Sequence, residues 1–250
     1  MANVSFSKAL IDRAVGKSVP VDEMEVVLAS MAVPMESCEN EVVTVDVTAN
    51  RPDLLSGSAI AQYYAKYVGK DAGLSEYEVK KSQYVVRLSP SVKVVRPFTA
   101  CAVVTGMAFD EDLIKQLIQL QEKLHVTVCR KRAKAAIGVY PMERIAWPIT
   151  YEARKPIDIR FRPSDARGEM PAKLILEQNL TGKEYAHLLK DALVYPVFVD
   201  GKGAVLSMPP IINSFDTGRV TSATKDVFVE CSGFDFVFLN RLLSVIVTFL

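Results

Sequence analysis

The chain has 250 residues, half of them hydrophobic, and its 30 basic and 29 acidic side chains leave a formal net charge of +1. That length can hold one large or two modest domains with real cores, and that composition excludes an intrinsically disordered chain. The near-cancelling charge excludes nucleic-acid binding through the charge of the whole molecule, so any such surface must be a local basic patch.

Cysteine spacing and the lack of targeting segments indicate a cytoplasmic protein. The four cysteines have no CxxC or metal-type spacing, so we expect free thiols in a reducing compartment and no metal site. The sequence has no signal peptide and no apolar run of about 18 residues, so we expect neither a membrane span nor a membrane partner.

Residues 1–82 predict a small α+β domain. Its predicted elements are a strand start and a short helix within residues 4–15, a helix over residues 21–31, a strand over Val42–Val47, a turn at Asn50–Asp53 and a helix over residues 56–68. We expect Ser7 and Asp22 to cap the first two helices. The following residues are polar without an apolar period, so we place a domain boundary between residues 82 and 83.

Residues 83–250 predict a mixed α/β domain with a central sheet, which makes the whole chain α+β. Strands are predicted over residues 84–88, 92–95, 98–107, 135–140, 157–161, 195–199, 204–207 and 227–229. A helix that begins at Asp110, with Leu113, Leu117, Leu120 and Leu124 on one stripe, and an apolar helix over residues 236–250 complete the domain. The stretch Asp200–Gly203 predicts a hairpin turn. The last helix ends without a cap, so we expect the chain to be a piece of a longer protein.

The most informative stretch is AVLSMPPIINSFDTGRVTSATKDVFVECS, residues 204–232. Two apolar strands flank a loop stiffened by two prolines, which cannot donate ladder hydrogen bonds. One interpretation is that the strand ends and the loop bring four polar side chains to one wall, where they orient a substrate or a water. The four are Ser207, Asn213, Glu230 and Ser232. The other interpretation is an ordinary loop whose polar side chains bond their own backbone, and spacing alone leaves both open.

LSMPPIIN followed by TKDVFVECSG resembles the editing domain of the phenylalanyl-tRNA synthetase beta subunit, archaeal and eukaryotic type. Three further stretches agree in the expected order, namely VTANRPDLLS, RPFTACAVV and LQEKLHVTVCRKRAKAAIGVY. The resemblance implies an N-terminal fragment that proofreads, hydrolysing mischarged tyrosyl-tRNA(Phe) with a positioned water. Such a second site is needed because tyrosine differs from phenylalanine by one hydroxyl. An apolar pocket for the ligation of phenylalanine rejects the amino acid with that hydroxyl only roughly 100-fold.

The same resemblance implies roles for individual residues. The serine of LSMPP is Ser207 and the asparagine of PPIIN is Asn213. The acidic and hydroxyl pair after the last strand is Glu230 and Ser232, and these four residues are implied as catalytic. The strand position before the hairpin falls at Phe198, which is implied to shape the amino-acid pocket. Archaeal members tend to have Asp and Thr in place of Glu230 and Ser232, so here the carboxyl reaches one methylene further and one methyl is lost.

No conventional catalytic set is visible in the sequence. There is no Ser-His-Asp arrangement, no HExxH and no Cys/His metal set, and we interpret His125 and His187 as packing or surface residues. This fits an editing site, where water attacks an already activated ester and the protein mainly positions it.

One concentrated basic patch follows the predicted helix from Asp110; its residues are Arg130, Lys131, Arg132 and Lys134. The patch is either a solvated helix end, favoured by the helix dipole, or a set of phosphate contacts to the acceptor end of tRNA. In the family that the chain resembles, this segment lies beside the editing pocket, which favours the tRNA interpretation.

The resemblance also implies partners and cofactors. The parent enzyme ligates phenylalanine to tRNA(Phe) with ATP and magnesium through parts outside this chain, so we expect no cofactor here. The expected partners are tRNA(Phe) and the synthetase alpha subunit, in an alpha2-beta2 parent tetramer. The alternative is a non-catalytic tRNA-docking or scaffold module, which the departures at Glu230 and Ser232 keep open.

Overall fold

The structure is a computed structural model that describes residues 2–70, 72–73 and 75–250. The described residues form helices and four sheets, of which the five-stranded one is mixed and the others are antiparallel, and this confirms the predicted α+β class. Apart from its last two residues, the chain divides into two compact units, one of Met1–Lys80 with Lys115–Val128 and the other of Lys81–Ile114 with Cys129–Thr248. The functional division into residues 1–82 and 83–250 stays a prediction.

The first unit has a three-stranded antiparallel sheet with helices. Its elements are β1 (Ala2–Ser7), α1 (Ala9–Val15), α2 (Val21–Ser30), β2 (Met35–Glu39), β3 (Val42–Val47) and α3 (Gly57–Tyr67), and the strand order is β1-β3-β2. It also includes α4 (Glu111–Val126) from Lys115 onwards. On α4 the leucine stripe predicted from the sequence is buried at Leu117, Leu120 and Leu124.

The two predicted N-caps of this unit are wrong. Ser7 is still paired within β1, so Lys8 takes the cap position of α1. Pro20 takes the cap position of α2, and Asp22 lies in the first turn, where its charge favours the positive end of the helix. Strand β2 was not predicted, because both of its faces are partly exposed and its sequence MESCE shows no alternation.

The second unit contains ten strands and four further helices among its described residues. The strands are β4 (Val86–Leu88), β5 (Phe98–Val104), β6 (Ala135–Pro141), β7 (Ile149–Arg154), β8 (Arg160–Phe161), β9 (Met170–Pro171), β10 (Tyr195–Val199), β11 (Val205–Met208), β12 (Ile212–Asn213) and β13 (Val227–Gly233). The helices are α5 (Ala172–Gln178), α6 (Leu180–Tyr185), α7 (Phe215–Gly218) and α8 (Phe236–Phe249).

Two sheets of this unit pack face to face. One has the order β12-β11-β10-β7-β4, and the other has the order β5-β13-β6. The core between them includes Tyr140 and Phe228 from the three-stranded sheet and Tyr151, Phe198 and Leu206 from the five-stranded sheet. The opposite face of the five-stranded sheet packs against α5 and α6.

Two predicted strands of this unit are wrong. Residues 92–95 lie mostly in a 3-10 turn, Pro90–Val94, and in the stretch 157–161 only Arg160–Phe161 is a strand, after a 3-10 turn at Pro156–Asp158. In both cases a proline occupies the first position of the turn, where its fixed φ and missing N–H cost nothing. The alternation of apolar residues in 157–161 is misleading, since Ile157 is exposed and Ile159 is buried.

Over the described residues, no helix is both long enough and apolar enough to cross a membrane.

Candidate functional site

The five-stranded sheet presents a row of four side chains to the sheet opposite. Asn213 on β12 pairs with Ser207 on β11, Ser207 with Phe198 on β10, and Phe198 with Tyr151 on β7. Directly opposed residues of antiparallel strands share a face of the sheet. Leu206 is an extra residue at a β-bulge, because Phe198 pairs with Ser207 whereas the next pair is Val199 with Val205. The register therefore places Asn213 and Ser207 side by side, next to two aromatic rings.

The three-stranded sheet presents the acidic part of the site. The side chains of Phe228, Glu230 and Ser232 are two residues apart along β13 and therefore lie on the same face of the sheet. Glu230 lies opposite Gly138 on β6, and Phe228 lies opposite Tyr140. A Cβ atom at position 138 would collide with the Tyr140 hydroxyl and with the Glu230 carboxyl. Glycine is therefore required within this strand, because the phenol of Tyr140 lies over it beside Glu230.

The two sheets meet in a buried polar group that we call the phenol cluster: Tyr140, Ser207, Asn213 and Glu230. The Tyr140 hydroxyl lies 3.2 Å from Glu230 Oε1 and 3.5 Å from Asn213 Oδ1, so it donates to one of two carbonyl-type acceptors. Tyr140, Ser207 and Glu230 are buried, and Asn213 is half-buried. Three of the four residues predicted as catalytic therefore surround a single phenol hydroxyl.

Burial dominates the electrostatics of this cluster. It raises the pKa of Glu230 to about 8, and the hydrogen bond from Tyr140, the charge of Arg96 and the nearby Ser232 hydroxyl lower this pKa only in part. Burial also raises the pKa of Tyr140 well above its ordinary value, with the Glu230 charge acting in the same direction. At neutral pH both groups are therefore mostly protonated.

Two polar atoms of the cluster are buried without a hydrogen-bond partner among the described residues, namely Ser207 Oγ and Glu230 Oε2. Ser207 lies near the Tyr140 hydroxyl and lowers its pKa, but Ser207 Oγ forms no hydrogen bond with the described residues. Unsatisfied buried polar atoms are costly, and they concentrate at functional sites. These two atoms are therefore the ones most able to bind a substrate group or a water.

Ser232, the fourth predicted residue, belongs to an adjoining network around Arg96. The guanidinium of Arg96 donates to Ser232 Oγ at 3.2 Å and to the Ser232 carbonyl at 2.7 Å, and Tyr151 donates to the Arg96 carbonyl at 2.9 Å. Arg96 is buried, and its burial lowers its pKa. Sequence reasoning missed Arg96 as a site residue, although it opens the RPFTACAVV stretch.

Phe198 lies beneath the cluster. It is completely buried and stacks on Tyr151, with 4.2 Å between ring centroids. Its neighbour in the next strand is Ser207, so a change in the size of this ring would displace that hydroxyl. That Phe198 shapes an amino-acid pocket stays a prediction.

The basic patch does not lie on a helix end, so that interpretation is wrong. Helix α4 ends at Val126, and the three residues Arg130–Arg132 all have φ between 50° and 65°, a left-handed turn. Arg130 and Lys131 are exposed. Arg132 donates to the Ile211 carbonyl and lies 4.2 Å from the Tyr185 ring centroid, and Lys134 lies 3.5 Å from that of Phe238.

The structure thus divides the patch into two parts. Arg130 and Lys131 present their charges to solvent, where a phosphate could reach them. Arg132 and Lys134 are half-buried on aromatic rings, and Arg132 tethers the turn to the proline loop beside the phenol cluster. The predicted tRNA contact therefore depends mainly on the first two residues.

No group of three or more His, Cys, Asp or Glu side chains that could hold a metal ion is found within residues 2–70, 72–73 and 75–250. The four cysteines are unpaired, and Cys129 and Cys231 are buried.

Relatives of known identity match nearly the whole chain. It is 38% identical over 253 residues to the phenylalanine–tRNA ligase beta subunit of Pyrococcus horikoshii, which covers 99% of this chain and 45% of the relative. It is 40% identical to the same subunit of Thermococcus onnurineus, with coverage of 99% and 44%. The chain therefore spans about half the length of the curated relatives it matches.

The fold agrees with this sequence similarity. A crystal structure of an N-terminal fragment of the phenylalanyl-tRNA synthetase beta subunit from Pyrococcus horikoshii superposes with a TM-score of 0.93 at 38% identity, covering 99% of this chain and 73% of that fragment. No family model matches the chain. Since sequence and fold agree over almost every residue, the chain belongs to the phenylalanyl-tRNA synthetase beta-subunit family and corresponds to its N-terminal part.

Proposed function

We propose that this chain is the proofreading part of a phenylalanyl-tRNA synthetase and hydrolyses mischarged tyrosyl-tRNA(Phe). The observation that supports this proposal best is the convergence of Ser207, Asn213 and Glu230 on one phenol hydroxyl in a buried site. The amino acid that the site must recognise differs from phenylalanine by that hydroxyl alone. A cluster that binds a tyrosine side chain of its own protein has the chemistry to bind that of a substrate.

Discrimination would come from the buried polar atoms. With a pKa of about 8, the carboxyl of Glu230 is mostly neutral at pH 7 and can both donate to and accept from a phenol. Phenylalanine would leave this group unpaired in a buried site, and a site built to bind a hydroxyl rejects the analogue without it by about 10⁴-fold. The correct product, phenylalanyl-tRNA(Phe), is protected by this penalty.

The reaction needs little from the protein besides position. The oxygen of a water attacks the ester carbonyl carbon, the bond from that carbon to the terminal ribose oxygen breaks, and the ribose oxygen takes up a proton. Free tyrosine and tRNA(Phe) are the products. Ser207 Oγ and Glu230 Oε2 would hold the water or the amino acid, while the buried charge of Arg96 favours the negative charge that develops on the carbonyl oxygen.

The partners follow from the parent enzyme. We place the acceptor end of tRNA(Phe) against the exposed Arg130 and Lys131, and the alpha subunit, in an alpha2-beta2 assembly, against parts of the beta subunit outside this chain. ATP and magnesium would serve phenylalanine ligation elsewhere in the parent enzyme, and no step proposed here passes through them. A cytoplasmic location belongs to the same proposal.

One observation favours a second candidate, the non-catalytic docking or scaffold module. Tyr140 already occupies the phenol cluster, so the amino-acid site is closed in this structure. A domain that has lost hydrolysis could keep its tRNA contacts and its fold with such a side chain in place.

Deacylation rates separate the two candidates. Tyrosyl-tRNA(Phe) and phenylalanyl-tRNA(Phe) would be incubated side by side with the wild type and with four single alanine variants, those of Ser207, Asn213, Glu230 and Ser232. We expect faster release of tyrosine than of phenylalanine by the wild type, a loss of roughly 10²-fold in the variants, and no change in Ser244→Ala, an exposed serine on α8. Equal hydrolysis rates for the two esters in the wild type would refute selective hydrolysis of tyrosyl-tRNA(Phe). No hydrolysis of either ester, with tRNA still bound, would favour the docking module.

A further inference from the structure

We propose that Tyr140 is an internal occupant of the amino-acid site, so that the phenol cluster accepts the side chain of an external para-alkyl phenol only when Tyr140 is withdrawn or removed. The inference rests on the proposed function for the identity of the natural ligand, a tyrosyl ester. It goes further in assigning to this chain a residue that competes with that ligand.

The contacts of Tyr140 are those that a bound tyrosine side chain would make. Its hydroxyl lies between Glu230 Oε1 and Asn213 Oδ1, and its ring packs beside Phe228 with centroids 5.8 Å apart. The side chain is completely buried. The phenol cluster therefore already holds one phenol, both at its polar end and along the ring.

Glycines on β6 and α7 leave room for the Tyr140 side chain. Gly138 leaves the space over which the phenol lies, since a Cβ atom there would collide with the Tyr140 hydroxyl and ring. Asn213 is half-buried, so the polar end of the cluster reaches the surface at that residue. Gly218 of α7 lies against the same ring, with its ideal Cβ position 3.8 Å from Tyr140 Cδ1. The ring is enclosed by β6, β13 and α7, whereas its hydroxyl points towards a polar group near solvent.

Occupancy by Tyr140 has a direct consequence for binding. The cluster cannot hold two phenol rings at once, so the apparent affinity for an external phenol falls in proportion to the fraction of molecules in which Tyr140 is withdrawn. Removing the ring should therefore reveal a site that prefers a phenol over a plain aromatic ring of the same size.

Binding of small aromatic probes tests this directly. The Tyr140→Ala variant would be titrated with p-cresol and with toluene by calorimetry, and we expect p-cresol to bind at least about tenfold more tightly, because toluene leaves buried acceptors unpaired. The matched control is Tyr64→Ala. Tyr64 is equally buried, but its hydroxyl has no hydrogen-bond partner among the residues that the structure describes, so its cavity should show little preference. Equal affinities for the two probes in Tyr140→Ala, or the same preference in both variants, would overturn the inference.

A large cavity can destabilise the fold, so thermal unfolding provides a second measurement. A probe that binds the native state raises Tm by mass action even in a weakened variant, and p-cresol should raise it more than toluene does. Adding Glu230→Leu to Tyr140→Ala should abolish that difference. If the difference persists without Glu230, the preference does not come from the phenol cluster and the inference fails.

Deacylation by the same variants distinguishes failure of this inference from failure of the proposed function. If Tyr140→Ala selects p-cresol but neither this variant nor the wild type releases tyrosine from tyrosyl-tRNA(Phe), the internal occupant is supported and hydrolysis is refuted. A wild type that releases tyrosine, together with a Tyr140→Ala variant that does not select p-cresol, refutes the internal occupant and supports hydrolysis. If both hold, Tyr140→Ala should lower the KM for tyrosyl-tRNA(Phe).

Discussion

Replacing the buried carboxyl of Glu230 with an amide should flatten the dependence of this protein's stability on pH. Glu230→Gln keeps the size of the side chain and an oxygen that can accept from Tyr140. It removes the ionisation of a buried carboxyl with a pKa of about 8, against an ordinary value of 4.5. The folded state therefore holds a proton that the unfolded state releases between these two pH values.

The sign and size of the effect follow from that difference. Since the folded pKa is the higher one, this contribution to stability is fully present below about pH 4.5 and is lost as the pH rises through about 8. Each pH unit of the interval corresponds to about 1.36 kcal/mol, which makes roughly 5 kcal/mol the ceiling for the whole interval. Relaxation around the buried charge lowers this, and we expect the wild type to lose roughly 2–4 kcal/mol of its free energy of unfolding between pH 5 and pH 8.5.

Urea unfolding at a series of pH values measures this effect. The free energy of unfolding of the wild type should fall with rising pH, and that of Glu230→Gln should change much less. Glu184→Gln, which removes the carboxylate of an exposed residue on α6, is the control for the loss of one negative charge and should retain the wild-type slope. Parallel curves for the wild type and Glu230→Gln would show that the carboxyl is not held neutral by burial, and would refute the reasoning.

Two further predictions concern the neighbouring strand and the basic turn. Gly138→Ala should lower the free energy of unfolding by about 1–3 kcal/mol, because the new methyl group collides with Tyr140 and Glu230; adding Tyr140→Phe, which removes the hydroxyl, should recover part of that loss in urea unfolding. No recovery in the double variant would show that the crowding comes from elsewhere. Arg130→Glu with Lys131→Glu should weaken tRNA(Phe) binding and lower its salt slope by about one per lost phosphate contact, as measured by fluorescence titration at several salt concentrations. An unchanged salt dependence of tRNA(Phe) binding would show that Arg130 and Lys131 are solvated and contact no phosphate.

Local sequence patterns were enough to predict much of the secondary structure. The leucine stripe of α4 and the strand Val42–Val47 lie where the sequence predicted them, because side-chain periodicity depends only on neighbours along the chain. The hairpin at Asp200–Gly203 also agrees, since its turn residues act locally. The predicted strands at 92–95 and 157–161 were wrong because the turns that replaced them begin at prolines.

For the basic segment, the sequence does not determine which positive side chains are exposed to solvent. As a sequence, Arg130–Lys134 reads as one patch of positive charge. The left-handed turn at Arg130–Arg132, and the aromatic rings under Arg132 and Lys134, divide that patch into exposed and half-buried parts. Those rings belong to distant segments of the chain, so only the fold decides which charges stay in solvent.

The candidate site was visible in the sequence only as a set of residue types. The composition of residues 204–232 determined which polar groups were available, and the bulge at Leu206 and the pairing of Ser207 with Asn213 aligned two of them. The place of Tyr140 among them depended on the tertiary structure alone. Its partners lie 73 and 90 residues further along the chain, on two different sheets. No periodicity or local turn rule spans such separations, and the burial that raises the pKa of Glu230 arises only when the two sheets close on each other.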